Sequence, residues 1–267
     1  MRYVLLFLFL GMQHALTAQE PDWLISRVLQ AQKEIRHIRV FTTRHDTLVT
    51  GHIRTLSGTV NISVAPADRI FGFHFFAVPE AGKAASIYDG HYSFFIDHEK
   101  KEFTKYSHPE LLDAITGFPG GQLVWKDLVR LDTSTATRFT VREDAQFYYL
   151  NIQLPDITRY DVTKRSKELT ISKTNFLPVA MRQHQETLGK VQDLYYQNAR
   201  MQLNEAGIAY DFSEERYPAG YQEAEKAPNK KLLALQGKPL PAFQLVKFDG
   251  SPLLSEDLKG KLVLLDF

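Results

Sequence analysis

The chain of 267 residues contains no cysteine, so it can form no disulfide, no zinc–thiolate site and no thiol nucleophile. It also has no charge excess, because 32 Lys and Arg residues stand against 31 Asp and Glu residues. Nucleic-acid-binding domains normally show a clear basic surplus, so the composition argues against nucleic acid as a partner. The local basic group at Lys33, Arg36, His37 and Arg39 is predicted to be the solvated face of a helix and its exit.

Recognisable catalytic signatures are absent as well. The chain has no Gly-x-Ser-x-Gly elbow, no P-loop and no Gly-x-Gly-x-x-Gly run. Its nine histidines are scattered, without the His-Glu-x-x-His spacing that brings metal ligands together. We therefore predict no catalytic residue, no metal site and no cofactor.

Long apolar runs are missing except at the N-terminus. Arg2 supplies a positive charge, Tyr3–Gly11 is an apolar run of signal-peptide length, and Leu16–Ala18 is an acceptable cleavage site before Gln19. A membrane-spanning helix needs about 20 apolar residues, so this run is too short to span a bilayer. We predict a signal peptide over residues 1–18, an exported periplasmic or secreted protein, and no transmembrane span.

The apolar pattern then predicts a helix followed by many strands. Asp22–His37 has helical spacing, whereas Thr59–Val64 alternates with a period of two and Asp89–Gly90 is typical of a hairpin turn. Pro109–Val129 is the one interruption, with a helix followed by the loop Gly117–Gly121. This order predicts an α+β fold, in which a curved antiparallel half-barrel sheet is covered by helices.

Aromatic residues on the predicted strands are the candidate binding residues. They are Phe71, Phe73, Phe75, Tyr92 and Phe94. Large apolar pockets with few polar groups are the usual sites for small molecules, so these side chains are predicted to line a ligand cavity. The alternative is that they fill the core, which is the commoner role of alternating aromatics.

Several segments of this region share their pattern and turns with a known superfamily. They are Leu56–Thr59, Tyr88–Gly90, Leu169–Pro178, the turn at Gly189 and the closing segment Phe212–Gly220. Through these segments the chain resembles the LolA-like superfamily, which contains outer-membrane lipoprotein carriers and MucB/RseB-type sensor domains. The resemblance implies a half-barrel domain over residues 19–222 with an apolar cavity. It also implies an acyl chain, a lipoprotein or an envelope protein as the partner.

The end of the chain has a different character. Residues 223–236 are charged and contain a proline, which is typical of a linker. From Gly237 the sequence predicts two extended segments joined by a turn, then a single helical turn from Ser255 closed by a left-handed Gly260. The run Leu262–Phe267 is predicted to be a strand of the kind buried inside a parallel sheet, and prone to self-association when it lacks its partner strands.

This order of features resembles the entry to the TlpA/ResA-like thioredoxin (redoxin) family. The matching positions are Gly237, Pro241, Phe243, Asp249, Gly250, Lys259, Gly260, Lys261 and Phe267. The resemblance implies that residues 237–267 begin an incomplete thioredoxin-like α/β segment, which stops before the Cys-x-x-Cys motif. An unrelated C-terminal hairpin and strand is the alternative.

Two functions follow from these resemblances. In the first, the chain is an exported fragment of a TlpA-like thiol–disulfide oxidoreductase whose LolA-like domain binds a lipid-like ligand or a partner protein. The cysteine-free chain would then have no redox activity of its own. In the second, it is a stand-alone periplasmic carrier of lipids or lipoproteins, or an envelope-stress sensor domain.

Overall fold

The structure, a computed structural model, describes residues 21–205, 213–224, 237–238, 242–247 and 250–261. The chain divides into two compact units, Met1–Ala224 and Glu225–Phe267. The predicted signal peptide and the predicted strand Leu262–Phe267 lie outside the described residues, as does most of the predicted linker. The predicted domain boundaries stay predictions.

The first unit begins with helix α1, Pro21–Lys33, which buries Leu24 and Val28 completely. The prediction continued this helix to His37, but strand β1 already begins there. The helix ends earlier because Ile38 is needed as a strand residue: it is fully buried and pairs with Ile62 of the next strand. Eleven strands follow, and every pairing among these eleven is antiparallel. They are β1 His37–Thr47, β2 Ile53–Val64, β3 Phe73–Pro79, β4 Ala84–Tyr88, β5 Ser93–Asp97, β6 Glu102–Tyr106, β7 Arg138–Glu143, β8 Phe147–Gln153, β9 Val162–Ser172, β10 Pro178–Thr187 and β11 Lys190–Leu203.

These strands form a single sheet, completed by β12, Gln222–Glu223, which runs parallel to β6. The strand order is β12-β6-β5-β4-β3-β2-β1-β11-β10-β9-β8-β7, so β1 and β11 join two meanders at the centre. One hydrophobic core takes side chains from both meanders, including Phe75 of β3 and Leu169 of β9. A sheet of this width encloses one core only by curving around it. The predicted α+β class with an open, curved antiparallel sheet is confirmed in this form.

The strand register divides side chains between two faces of the sheet. Residues directly opposite one another in antiparallel strands point to the same face. The core face carries Ile38, Val60, Phe75, Leu150 and Leu169, all of them buried. The outer face carries His45, Tyr195, Arg182 and Glu168, which lie side by side on β1, β11, β10 and β9.

Two elements cover the core face: helix α1 and the segment Leu111–Leu131, which we name the cover segment. The cover segment contains helix α2 (Leu111–Gly117), helix α3 (Pro119–Gln122) and a 3-10 helix (Lys126–Leu128). The prediction of a helix in this region is confirmed, but the predicted loop at Gly117–Gly121 is wrong in part. Pro119 opens α3 at its first turn, where proline fits. Only glycine fits at position 121, because a Cβ atom there would lie 1.9 Å from the carbonyl oxygen of Ile115.

A smaller core lies on the outer face of β4–β6. Ile87, Phe94, Ile96 and Phe103 are buried there, and Tyr217 packs edge-on against Phe94 and Phe103. Tyr217 follows helix α4, Ser213–Arg216. The segment before β12 therefore covers this end of the outer face.

The second unit contains a small hairpin of β13 (Gln244–Val246) and β14 (Pro252–Leu254), followed by a 3-10 helix at Ser255–Leu258. Gly260 has a φ of 75°, in the left-handed region. The predicted sequence of extended segment, turn, single helical turn and left-handed glycine is confirmed. The thioredoxin-like continuation stays a prediction.

Candidate binding site beneath the cover segment

The contact between the cover segment and the core face is mainly apolar. The exposed fraction is 0% for Leu123, 1% for Leu128 and 3% for Trp125. Leu123 lies against Gly58 of β2, where a Cβ atom would come within 2.7 Å of the leucine side chain and 2.3 Å of the Val78 carbonyl oxygen. Gly58 therefore permits the close approach that seats the cover segment on the sheet.

One polar attachment comes from Gln32, the buried last-turn residue of α1. Its Nε2 donates to the carbonyl oxygens of Asp127 (2.7 Å) and Leu128 (3.2 Å), and its Oε1 accepts from the Leu131 N–H (2.9 Å). All three backbone groups belong to the cover segment. A single side chain thus holds the end of the cover segment to helix α1.

A second attachment is a buried ion pair. Lys167 Nζ of β9 lies 2.7 Å from Asp127 Oδ1, and both side chains are 11% exposed. The same ammonium donates to the Asp132 carbonyl oxygen, and Asp127 Oδ1 also accepts from the Asp132 N–H. Burying two charges costs solvation energy that their attraction only partly repays, so such a pair is better suited to specifying a geometry than to adding stability.

The third attachment is Arg44 of β1, which is also buried. Its Nη1 donates to the Gln122 carbonyl oxygen (2.8 Å), and its Nε donates to Asp46 Oδ1 (2.6 Å). Arg54 satisfies the other oxygen of Asp46 at 2.8 Å. The Arg44 guanidinium also lies over the ring of Tyr196, 5.0 Å from its centroid, and burial raises the pKa of that phenol. We define the attachments of Gln32, Lys167 and Arg44 to the cover segment as the polar pins.

Three buried polar atoms near these pins have no hydrogen-bond partner in the described part of the chain. They are Ser86 Oγ, Gln122 Oε1 and Asn198 Nδ2. Ser86 lies beneath Gly120 of the cover segment, and Asn198 Oδ1 already accepts from Thr42 and Trp125. Buried polar atoms are normally paired. The contact between the cover segment and the sheet is therefore apolar except at the polar pins, the Trp125–Asn198 hydrogen bond and these three unpaired atoms.

The rim of this region is open on one side. A groove of about 450 Å³ runs between α1, the connection from β2 to β3, and the end of the cover segment. It is lined by Leu29, Gln32, Lys33, Val64, Pro66, Gly72, Val129 and Arg130. Because Gln32 is both a pin and part of this lining, the groove reaches the point where the cover segment is attached.

Asp68 organises the loop beside this rim. One of its oxygens accepts from the backbone N–H groups of Ile70, Phe71 and Gly72, and the other accepts from the Tyr88 hydroxyl at 2.5 Å. Burial acts to raise the pKa of Asp68, but these hydrogen bonds outweigh it and hold the pKa below its usual value. Burial and the same carboxylate raise the pKa of Tyr88.

The structure divides the predicted binding residues between the two faces of the sheet. Phe71, Phe73 and Phe75 lie together around Tyr88 on the core side, with ring centroids 5.3–6.1 Å apart. Phe73 and Phe75 are completely buried. Tyr92 and Phe94 instead pack against each other on the outer face, because Ser93, between them, is the residue opposite Tyr88. The five residues therefore do not surround one common space, and ligand binding by either group stays a prediction.

Sequence reasoning did not identify the polar pins. The only local signal is in β1, where the buried positions Ile38 and Val40 are followed at the same spacing by Thr42, Arg44 and Asp46. Polar and charged residues that continue a buried stripe indicate buried partners from elsewhere in the chain. Among the described residues, no group of three potential metal-binding side chains occurs. No helix in the described ranges is both long and apolar enough to cross a membrane.

No protein-family model matches the chain, and no curated protein sequence matches it significantly. Among solved structures, it is similar to an uncharacterised conserved protein from Thermus thermophilus, with a TM-score of 0.43 and 12% identity over 76% of this chain and 97% of that one. It is also similar to a LolA superfamily protein from Nitrosomonas europaea, with a TM-score of 0.31 and 12% identity over 67% and 93%. A third similar structure is the MucA/MucB complex of Pseudomonas aeruginosa, with a TM-score of 0.35 and 13% identity over 87% of this chain and 73% of that one.

Two of these three structures carry the names that the sequence resemblance predicted for residues 19–222. At these scores the similarities carry no argument about this chain, and its function has to be inferred from its own residues. The comparisons give no support to the thioredoxin-like resemblance of residues 237–267, which stays a prediction.

Proposed function

We propose that this chain is a binding domain of the cell envelope that takes up an acyl chain, free or attached to a lipoprotein, between the core face and the cover segment. We prefer the carrier function to the oxidoreductase fragment because the features that suit ligand binding, the groove and the pinned cover segment, belong to the first unit. Export to the periplasm is part of this proposal and depends on the predicted signal peptide.

The observation that carries the proposal is the way the cover segment is attached. Its contact with the sheet is apolar, and its polar contacts are concentrated at three side chains, Gln32, Lys167 and Arg44. When the cover segment moves away from the sheet, an acyl chain can take its place against the apolar side chains of the core face. These side chains then stay shielded from water, so little apolar surface becomes exposed. The groove beside Gln32 gives such a chain an entry point.

Phe71, Phe73 and Phe75 are the side chains that we propose to contact the bound chain. They lie on the core side at the same loop that lines the groove, next to Gly72. In the described conformation their rings fill the space, with Phe73 and Phe75 inaccessible to solvent. Binding therefore requires the cover segment and α1 to move apart, and the pins set the free energy of that opening.

The test is binding of a fluorescent long-chain fatty acid to the full chain and to two glutamine variants. Gln32→Ala removes three hydrogen bonds, each contributing about 1 kcal/mol net, so the open population rises by up to about two orders of magnitude. We expect faster and tighter uptake by Gln32→Ala. Gln30→Ala is the matched control, because Gln30 lies on the same helix and is exposed.

Extraction of the purified full chain, followed by mass spectrometry, provides a second measurement. We expect co-purifying lipid at close to one chain per protein. The proposal fails if no lipid is extracted and neither the unmodified chain nor Gln32→Ala binds the fatty acid. It also fails if Gln30→Ala changes uptake as much as Gln32→Ala does, because the pin would then have no particular role.

A further inference from the structure

Three strand connections meet at one end of the sheet. The β1–β2 connection spans residues 48–52, the β8–β9 connection spans residues 154–161, and β10 and β11 are joined by Leu188 and Gly189. They lie at the same end because Thr47 pairs with both Ile53 and Asp193, and Val162 pairs with Thr187. The Leu188 N–H donates to the Asp161 carbonyl oxygen at 3.1 Å, which ties two of the connections together.

This end of the sheet exposes large apolar side chains. Ten large hydrophobic residues are exposed among the described residues of the first unit, and five of them lie here, which is a concentration rather than a scatter. The exposed fractions are 72% for Ile53, 38% for Ile157, 59% for Tyr160, 57% for Leu188 and 43% for Val191. We name these five residues the apolar end.

The charges around the apolar end sum to a small basic excess. Segments 48–54, 154–165 and 186–192 contain five Arg and Lys residues and three Asp and Glu residues. Part of the excess comes from Arg54, whose partner Asp46 lies just outside these segments. Glu186 is occupied by Lys164 at 2.9 Å, while Lys190 and Arg159 form no ion pair with any described residue. The Arg159 guanidinium instead lies over the ring of Tyr160, 5.2 Å from its centroid. Apolar tips with a basic border are complementary to an anionic lipid surface.

The apolar end continues onto the outer face. Ile53 and Val191 form the border of a groove of about 640 Å³ that also takes in Thr47, Asp193 and Tyr195. Within this groove the acidic side chains are already paired, since Asp193 accepts from Arg182 at 2.6 Å and Asp46 is held by Arg44 and Arg54. The acidic side chains of the groove are thus neutralised inside the protein, whereas Asp156 and Asp161 of the β8–β9 connection are exposed alongside Arg159 and Lys190.

We propose that the apolar end docks this domain on the surface of an anionic bilayer, with the hairpin tips inserted among the lipid head groups. Turns such as Leu188–Gly189, where both residues have positive φ, are narrow enough to enter that region. Tyrosine is a side chain that membrane interfaces favour, and Tyr160 is exposed beside a cation. The bilayer contact is distinct from ligand uptake, which takes place at the groove beside Gln32.

The test is co-sedimentation of the full chain with vesicles of phosphatidylcholine, with and without about one-third phosphatidylglycerol. We expect binding to the anionic vesicles, weakened at least about fivefold by the double variant Ile53→Ser with Leu188→Ser. Lys190→Glu with Arg159→Glu should weaken binding to anionic vesicles and abolish its dependence on phosphatidylglycerol. Leu112→Ser is the matched control, because Leu112 is 49% exposed but belongs to the cover segment.

Several outcomes would overturn the docking proposal. They are no sedimentation with either vesicle, equal loss of binding in Leu112→Ser, and unchanged binding in both double variants. A chain that is dimeric in solution, and becomes monomeric in Ile53→Ser with Leu188→Ser, would show that the apolar end meets a second copy instead. Fatty-acid binding measured without vesicles should be unchanged in the two double variants, because none of their positions lies in the cover segment or lines the groove beside Gln32. Failure here is therefore distinguishable from failure of the proposed carrier function.

Discussion

The two faces of the central strands contain the same kinds of charged residue in opposite surroundings. On the core face, Lys167 and Asp127 form an ion pair with both side chains 11% exposed. On the outer face, Arg182 and Asp193 form a two-bonded pair in which the arginine side chain is 61% exposed. The first pair links β9 to the cover segment, and the second links two neighbouring strands that are already hydrogen-bonded.

The difference indicates that burial, rather than hydrogen-bond geometry, determines how much the loss of one partner of an ion pair destabilises this protein. The outer pair has the better geometry but is surrounded by water, where exposed pairs contribute little. The core pair is deprived of water, so either partner left alone would be an uncompensated buried charge. The fold thus makes the position of the cover segment dependent on a few groups that must stay together.

The largest effect is expected from Lys167→Ala, which leaves the Asp127 carboxylate buried without its cation. We expect a loss of about 3–5 kcal/mol in the free energy of unfolding, measured by urea denaturation. Lys167→Met combined with Asp127→Asn should recover part of this loss, because no buried charge then remains. A loss below about 1 kcal/mol in the single variant would show that water reaches the pair and would remove the contrast between the faces.

The next largest effect tests packing instead of charge. Leu123→Ala opens a cavity between the cover segment and Gly58, and we expect it to cost about 2–5 kcal/mol in the same measurement. Val191→Ala on the outer face shortens a side chain of a residue that is 43% exposed, and should change the stability by no more than about 0.5 kcal/mol. Equal effects at the two positions would mean that the cover segment is not packed against the sheet in solution.

A pH-dependent effect is expected at the rim of the core face. The pKa of Asp68 is held below its usual value, so the stabilisation from its hydrogen bonds is present above the unfolded-state pKa of about 3.9 and is lost as the pH falls through the folded-state pKa. Tyr88→Phe removes one of these bonds and should cost about 1–3 kcal/mol at pH 7.

As the pH is lowered through the folded-state pKa of Asp68, the difference between Tyr88→Phe and the unmodified chain should shrink, because protonation of Asp68 removes the charge that the hydroxyl stabilises. Tyr92→Phe is the control, since Tyr92 lies on the outer face. A difference that stays constant until the chain unfolds in acid would contradict the assignment of the hydrogen bond to the ionised carboxylate.

The smallest effect is expected for Arg182→Ala on the outer face. Despite its two short hydrogen bonds to Asp193, the exposed pair should contribute no more than about 1 kcal/mol, and less at high salt. Urea denaturation at low and high ionic strength measures both quantities. A loss comparable to that of Lys167→Ala would reverse the comparison between the faces.

Local features of the fold were predictable because they depend on neighbouring residues. Alternation in Thr59–Val64 predicted a strand, and the structure places that run in β2. The hairpin turn at Asp89–Gly90 and the turn at Gly189 have the positive φ at glycine that their sequences indicate. Phe73 and Phe75 are both completely buried, and whether they also contact a ligand stays a prediction.

The attachment of the cover segment, by contrast, depends on contacts between residues distant in the sequence. Arg44 meets the Gln122 carbonyl oxygen across 78 residues, and Gln32 meets the Leu131 N–H across 99. Such pairs leave no local pattern, because hydrogen bonding requires only that the fold bring donor and acceptor together. A charged residue on a buried stripe, as at Arg44, is the one trace that they leave in the sequence.

By itself, the sequence determined which residues share a face within one strand, where the turns fall, and that no thiol chemistry takes place in this chain. Only the tertiary structure decided how the faces of neighbouring strands match, and this separated Phe71, Phe73 and Phe75 from Tyr92 and Phe94. The physical reason is that side chains alternate with a period of two along a strand. A shift of one residue in the pairing register, which the turn sets, therefore moves a whole strand's side chains to the other face.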